Sequence, residues 1–498
     1  MNPTPASSDR DDFIRAWGDG KAQVVFRRLI DDLETPVSAY LKLGRGAPHA
    51  FLFESVEGGA WRGRYSILTL EPDLVWRCRG DAAEIARGAD IAADRFAPEP
   101  PGAVASMKRL VDEARIDLPP GLPPLAAGVF GVFGYDLVRL FEPIGPANPD
   151  PLDLPDAVLT RPSIVAIFDG VAQEIILATP AWPGGDDAAA AWRAAQERLD
   201  SVEARLREPA PRTAPGAPVP VVFQGSRTET EFGAVVGRAK DYIAAGDIFQ
   251  VVPSQRFSAP FAGESFAFYR SLRRTNPSPF LFHMNFGDFQ LAGSSPEILV
   301  RLRDGELTIR PLAGTRPRGR TPEEDQALEV ELLADPKERA EHLMLVDLGR
   351  NDVGRVAEPA SVKVTRSFFV ERYSHVMHLV SNVTGRARQG LHPVDVLLAA
   401  LPAGTLSGAP KVRAMEIIDE LEPVKRGVGY AGAAGYISSG GEIDACIVLR
   451  TALFKDGMMH VQAGAGVVAD SDPKAEYAET LHKSRALKAA AEEAWRFG

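Results

Sequence analysis

PFLFHMNFGDFQLAGSSPEILVRLRDGELTIRPLAG, from Pro279 to Gly314, is the stretch that decides the fold. It contains four short apolar runs: Pro279 to Phe286, Phe289 to Ser295, Ile298 to Leu302 and Leu307 to Gly314. Turn-sized gaps separate them, one being Arg303-Asp304-Gly305. Short apolar runs bounded by Asp and Gly read as strands. Parallel neighbours need a crossover of about a dozen residues or more, so connections this short imply mostly antiparallel pairing. Helical patterns are grouped elsewhere, which gives an α+β class rather than a doubly wound parallel sheet.

Working outward, Phe249 to Ala259 reads as another strand. Before it, Thr228 and Glu231 form a capping-box pattern that opens a helix through Phe232, Val235, Val236, Ala239, Tyr242 and Ile243. The segment Pro209 to Val221 is too proline-rich for a helix or central strand and reads as a linker. The expected organisation is therefore residues 1–208, a linker at 209–225, and a second unit at 226–498. In the first unit, Ala50 to Ser55, Arg64 to Leu70, Ala126 to Val138, Ser163 to Asp169 and Glu174 to Thr179 read as strands. Ser106 to Arg115 and Asp186 to Leu206 read as helices, and Met1 to about Gly20 as a polar, loosely held start with room for one short helix.

The 498 residues are 45% hydrophobic and 25% charged, an ordinary globular composition. A formal charge of -11 argues against nucleic acid as a partner, although a local pocket field can still attract a small anion. Apolar stretches are broken well before membrane-spanning length, and the first residues carry no signal-peptide pattern. Two distant cysteines, Cys78 and Cys446, form no disulfide framework or zinc motif and fit a reducing cytoplasm. Neither has the tight-turn setting of an amidotransferase nucleophile.

Two helix starts match one another. Asp335 to Leu343 and Asp472 to Lys483 each open Asp-Pro, an N-cap followed by a first-turn proline. Each then carries Glu-x-x-Glu: Glu338 with Glu341, and Glu476 with Glu479. Carboxylates at i, i+3 share a helix face, and two such faces offer the hard oxygen donors that Mg²⁺ prefers. First-turn glutamates also simply complement the helix dipole, so spacing alone leaves both readings open. Pro402 to Ile418 runs a small-residue loop into a helix with Pro410 at its first position, a geometry able to hold an anion. Gly464-Ala465-Gly466 permits close backbone approach to a ligand or forms a bulge. Arg450, ending CIVLR, is either a carboxylate clamp or a structural ion-pair partner. His378, alone in a strand-like run, reads first as a core histidine.

With these segments in view, the chain resembles component I of anthranilate synthase, within the chorismate-utilising enzymes. The resemblance rests on GDIFQVVPSQRF (Gly246 to Phe257), NPSPFLF (Asn276 to Phe282), SSPEILV (Ser294 to Val300), RPLAGTRPRG (Arg310 to Gly319), EHLMLVDLGRNDVGRV (Glu341 to Val356), PAGTLSGAPK, IDACIVLRTA (Ile443 to Ala452) and QAGAGVVADSDP (Gln462 to Pro473). It is nearly continuous from Glu229 to Lys488 and sparser in the first half, where FLFES and RYS carry it.

The resemblance implies two facing, mostly antiparallel sheets wrapped by helices, with chorismate between them. It implies Mg²⁺ on Glu341 and Glu479, with Glu338 and Glu476 flanking and Glu476 counted among the metal ligands. Gly314, Thr315, Tyr430, Arg450, the Gly464, Ala465 and Gly466 backbone, and Lys483 match chorismate-binding positions. His378 and Thr405 match active-site positions. The implied reaction adds ammonia at C2 of chorismate as the C4 hydroxyl leaves, with Glu338 as the expected proton donor, and then eliminates pyruvate with help from His378. Sister enzymes that add water carry a general-base lysine where this chain has Gln250. Many aminodeoxychorismate synthases carry a nucleophilic lysine where it has Ala313. Amination at C2 is thus favoured over those alternatives, and intact Glu-x-x-Glu pairs disfavour a non-catalytic tryptophan-binding regulator. Glu54, Ser55, Pro279, Phe280 and Leu281 match a tryptophan feedback site, making 1–208 a regulatory region. The family often has Tyr-Met at Phe280-Leu281. The loop before Tyr430 is one residue longer than usual, which would displace that side chain. A separate glutamine amidotransferase subunit, component II, is the expected ammonia source, in a heterotetramer.

Overall fold

A computed structural model describes residues 7–55, 63–184, 187–211, 214–373 and 376–497. It is a mixed helix and antiparallel-sheet structure, and every paired strand among the described residues runs antiparallel to its neighbour. The stretch 279–314 forms the expected ladders. Phe280–Asn285 pairs with Phe289–Ser295, and Ile298–Arg303 with Glu306–Ile309. Asp304 and Gly305 both adopt positive φ, +50° and +74°, as a two-residue type I′ hairpin requires. These strands continue outward: Phe289–Ser295 onto Thr451–Lys455, Ile298–Arg303 onto Ile443–Ile447, and Ser254–Pro260 onto Met458–Gly464.

Strands of the first half join the same network. Phe51–Glu54 pairs with Phe280–Asn285, and Gly128–Phe133 with Ala433–Ser438. Buried side chains follow suit: Leu52 and Leu68 pack in one core with Leu281, Phe268, Met459 and Leu487. Residues 214–223 have no regular structure before the short strand Gln224–Gly225. The helix Glu229–Ala244 begins with the Thr228–Glu231 capping box, and Ala188–Leu206 is capped by Asp187. The start expected at Asp186 lies outside the described residues, as do residues 1–6 of the expected loose start. The short helix allowed for in that start is Arg10–Gly18.

Several boundaries differ from expectation for local reasons. Phe249 to Ala259 is two strands, Gln250–Val251 and Ser254–Pro260, because Pro253 has no N–H to give a ladder. Pro311 likewise splits Leu307 to Gly314 into Glu306–Ile309 and Leu312–Pro317. The run Ala126 to Val138 is strand only over Gly128–Phe133. At Gly134, where a Cβ would sit 2.5 Å from the Asp156 carbonyl oxygen, the chain turns into the 3₁₀ segment Tyr135–Leu140. Pro410 caps the helix Lys411–Leu421 instead of opening it.

Candidate active site

The matched helix starts are real. Asp335 caps Pro336–Gly354 by accepting from the N–H groups of Lys337 and Glu338, and Asp472 caps Pro473–Glu493 through Ala475. The first helix buries His342, Leu345, Val346 and Val353, which aims its first-turn carboxylates inward. Glu341 is raised above the ordinary carboxylate range by burial, then by Glu338 and Glu479. Glu476 is raised by burial and by Glu479, against a lowering hydrogen bond from Ser471. Two helices thus bring four carboxylates into mutual repulsion. Counter-charges are few: Arg316 Nη1 donates to Glu338 at 3.0 Å, and Lys483 Nζ lies 2.7 Å from Glu479. Among the described residues no three carboxylate, imidazole or thiol groups close into a metal cage. A hard-oxygen cluster whose repulsion a cation would relieve still fits Mg²⁺, which uses few protein carboxylates and keeps sites for water and substrate oxygens.

Beside them stands the glycine strand. Lys483 Nζ donates to the Gly464 carbonyl at 2.9 Å. The N–H groups of Ala465 and Val467 bond to Pro253 and Val251, while that of Gly466 has no protein acceptor among the described residues. A Cβ on Gly464 would meet the Pro253 carbonyl at 2.7 Å and the Tyr430 hydroxyl at 2.8 Å. One on Gly466 would meet Gln250 Nε2 at 2.8 Å. Tyr430, 3% exposed, therefore reaches the glycine strand despite its longer loop. Gln250 donates weakly to Glu341 at 3.4 Å, and its own carbonyl oxygen is buried without a partner. Arg450 holds a positive φ of +50° and forms no ion pair among the described residues. Burial lowers its pKa, with Tyr430 and Glu479 opposing. An enclosed guanidinium without a carboxylate partner has the geometry and charge to clamp one.

A bulge between Ala313 and Thr315 places Gly314 at φ +61°. His378 Nδ1 lies 3.0 Å from the Gly314 carbonyl and 3.1 Å from Thr315 Oγ1. The carbonyl assigns the proton to Nδ1 and leaves Nε2 as acceptor. Burial, with Arg450 nearby, lowers His378 to about 4, so the ring is neutral at pH 7. A Cβ on Gly314 would sit 3.0 Å from Glu338 Oε2. Gly314→Ala is therefore expected to destabilise the protein by about 1–2 kcal/mol through its left-handed backbone and to lower turnover by displacing Glu338. Thermal unfolding and steady-state kinetics check both.

Thr405 Oγ1 donates to Glu297 Oε1 at 2.8 Å. Glu297, which sequence reasoning passed over, is 5% exposed, and burial raises it to about 8 against opposing bonds from Thr405 and Leu312. Its signal was present: one carboxyl inside the apolar run of SSPEILV. The expected feedback residues also meet. Glu54 lies opposite Leu281 in the strand ladder, with Ser55 following and Pro279 and Phe280 preceding. The Glu54 carboxylate is already engaged, accepting from Tyr269 at 2.5 Å and Arg273 at 2.8 and 3.0 Å.

Carboxylate helices, an arginine without an ion pair, a glycine strand beside Gln250 and a neutral histidine near that arginine make up a cluster suited to an enzyme that takes a small anion. Residues 68–489 match the family of chorismate binding enzymes, and the chain belongs to that family. Within it, the chain is 55% identical over 490 residues to anthranilate synthase component 1 of Cereibacter sphaeroides, covering 98% of both. It is 48% identical over 489 residues to that of Pseudomonas aeruginosa, covering 96% of this chain and 97% of the other. The crystal structure of anthranilate synthase component I from Streptococcus pneumoniae superposes with a TM-score of 0.75 at 38% identity, over 86% of this chain and 93% of that one. The menaquinone-specific isochorismate synthase of Escherichia coli shares the fold, with a TM-score of 0.70 at 20% identity. No helix among the described residues is long and apolar enough to cross a membrane.

Proposed function

We propose that this chain is the chorismate-binding component of an anthranilate synthase, a carbon–oxygen lyase forming anthranilate and pyruvate from chorismate and ammonia. The observation that carries this over its sister activities is the amide of Gln250 beside Glu341, where a water-activating enzyme needs a base. Ala313, 8% exposed, offers no nucleophile in place of a lysine, so the aminodeoxychorismate reading is not favoured.

Arg450 and the Gly466 N–H hold one chorismate carboxylate. Glu341 and Glu479, flanked by Glu476 and Glu338, would hold Mg²⁺. When bound, that ion supplies charge neutralisation for the ring carboxylate and Lewis acidity. The unpartnered Gln250 carbonyl accepts an N–H of ammonia and orients its lone pair to C2. As the C2–N bond forms and the C4–O bond breaks, the departing hydroxyl needs a proton. Glu297, protonated at pH 7 and bonded to Thr405, supplies it better than Glu338, whose carboxylate is engaged by Arg316. The new C2 ammonium gives up one proton, restoring that of Glu297, and His378, neutral with Nε2 open, then takes the C2 proton as the C3–O bond breaks. The released enolpyruvate takes up a proton at its methylene carbon to become pyruvate, and the ring is aromatic.

Ammonia comes from a glutamine amidotransferase subunit. Both cysteines here are buried and raised by burial, Cys446 to about 12, unlike an activated thiol. Residues 1–208 form a regulatory region, with tryptophan sensed beside Ser55, Pro279, Phe280 and Leu281. Purified chain given chorismate, Mg²⁺ and excess ammonium at mildly alkaline pH is expected to produce anthranilate fluorescence that EDTA abolishes and tryptophan lowers. Isochorismate or aminodeoxychorismate as the product would reject the reading.

A further inference from the structure

Arg426 is 3% exposed and touches none of the groups assigned to chorismate through its polar atoms. Its guanidinium nevertheless reaches three walls of the site. Nη1 donates to the Leu406 carbonyl at 2.6 Å, one residue beyond Thr405. Nη2 donates to the Val252 carbonyl at 2.7 Å, two residues beyond Gln250. The guanidinium carbon lies 5.3 Å from the Tyr430 ring centroid and 4.9 Å from that of Tyr135. Two further N–H groups hold Glu422, Nε to Oε2 at 2.9 Å and Nη2 to Oε1 at 2.6 Å. Glu422, 5% exposed, accepts in turn from the N–H and hydroxyl of Ser254, which lies opposite Gly464 in the strand ladder. Gln462 donates to that same hydroxyl at 2.8 Å.

Stability is a weak reason for such an arrangement, since well-packed apolar side chains commonly replace a buried ion pair at no cost. A guanidinium offers something they cannot: five donors in a rigid plane, able to fix two carbonyls and a carboxylate at set angles. We propose that Arg426 is the positioning residue of the chorismate site, locking the Thr405 loop, the Gln250 strand and Tyr430 in one register. This rests on the reading of Thr405 and Tyr430 given above. Its neighbours extend the same joint into the first half of the chain, Lys425 through Asp150 and Asp156, and the Gly427 N–H through Asp136.

The test is a set of double-mutant cycles on kcat/KM for chorismate, with excess ammonium, at a temperature where circular dichroism shows every variant folded. Arg426→Lys keeps the charge but loses the fork, and is expected to lower kcat/KM at least about tenfold. Combining it with Tyr430→Phe or Thr405→Val should then cost little more, because residues in one network are non-additive. Losses that multiply, or a wild-type kcat/KM for Arg426→Lys, would overturn the proposal, since a merely structural role leaves distant effects independent. If Arg426→Lys fails to fold, Glu422→Gln enters the same cycles with the same two outcomes. Wild-type kinetics for both Tyr430→Phe and Thr405→Val would instead refute the site reading, and the proposal with it.

Discussion

Glu297→Gln is expected to fold normally and to lose about 10²- to 10⁴-fold in kcat, the range for removing a general acid. The substitution keeps the shape and the acceptor oxygen for Thr405 Oγ1, so little else changes. The pH profile carries the distinctive signature. Burial raises Glu297 from 4.5 to about 8. The wild-type proton donor is therefore filled below about 8 and emptied above it, and kcat should fall along an alkaline limb that the variant lacks. Stability moves with the same sign. A carboxyl raised on folding contributes fully below its unfolded value and loses that contribution as pH climbs through its folded one. Above pH 8 the variant should thus unfold at a higher temperature than the wild type. A variant with wild-type kcat would return the acid role to Glu338, and Glu338→Gln would then show the loss.

The second large effect concerns stability. Lys411 Nζ lies 2.7 Å from both carboxylate oxygens of Asp352, with side chains 8% and 5% exposed. Burial raises Asp352, and Lys411 opposes the rise. Lys411→Met leaves a buried carboxylate alone, which costs about 3–5 kcal/mol. The double variant Lys411→Met with Asp352→Leu should recover most of that loss, because both charges then leave together. Denaturant unfolding of the three proteins tests this, and a single-variant loss under about 1 kcal/mol would contradict it. The pair joins the helix bearing Glu338 and Glu341 to the one that follows the Thr405 loop, so the single variant should also raise KM for chorismate.

The antiparallel ladders were legible in the sequence because tight turns leave few options; Asp304-Gly305 could close only one kind of hairpin. The helix starts at Asp335 and Asp472 were legible because a cap and a first-turn proline act locally. Strand ends at Pro253, Pro311 and Gly134 were read less well. The two prolines were local signals, since neither can donate to a ladder, whereas the end at Gly134 depends on the Asp156 carbonyl that arrives across the sheet, which nothing local names. The same limit applied to the chemistry. Glu341, Glu479, Arg450 and the glycine strand stood out by pattern, whereas Glu297 looked like one carboxyl in an apolar strand. Only tertiary burial turns it into an acid that keeps its proton at neutral pH. Arg426 and Glu422, four residues apart just past a helix end, carry no pattern that foretells their burial, which only the closed fold supplies.

The pairing of Gly128–Phe133 with Ala433–Ser438 sets an order of events at the ribosome. At about 5–20 residues per second, on the order of tens of seconds pass between synthesis of the two strands. Throughout that interval an apolar strand has its hydrogen-bonding edge open, and Phe51–Glu54 waits in the same way for Phe280–Asn285. Open edges recruit whatever strand is nearest. The nascent chain is thus most exposed to aggregation well before its last helix emerges, and its yield in a cell should depend on translation speed and on chaperones that shield those two edges.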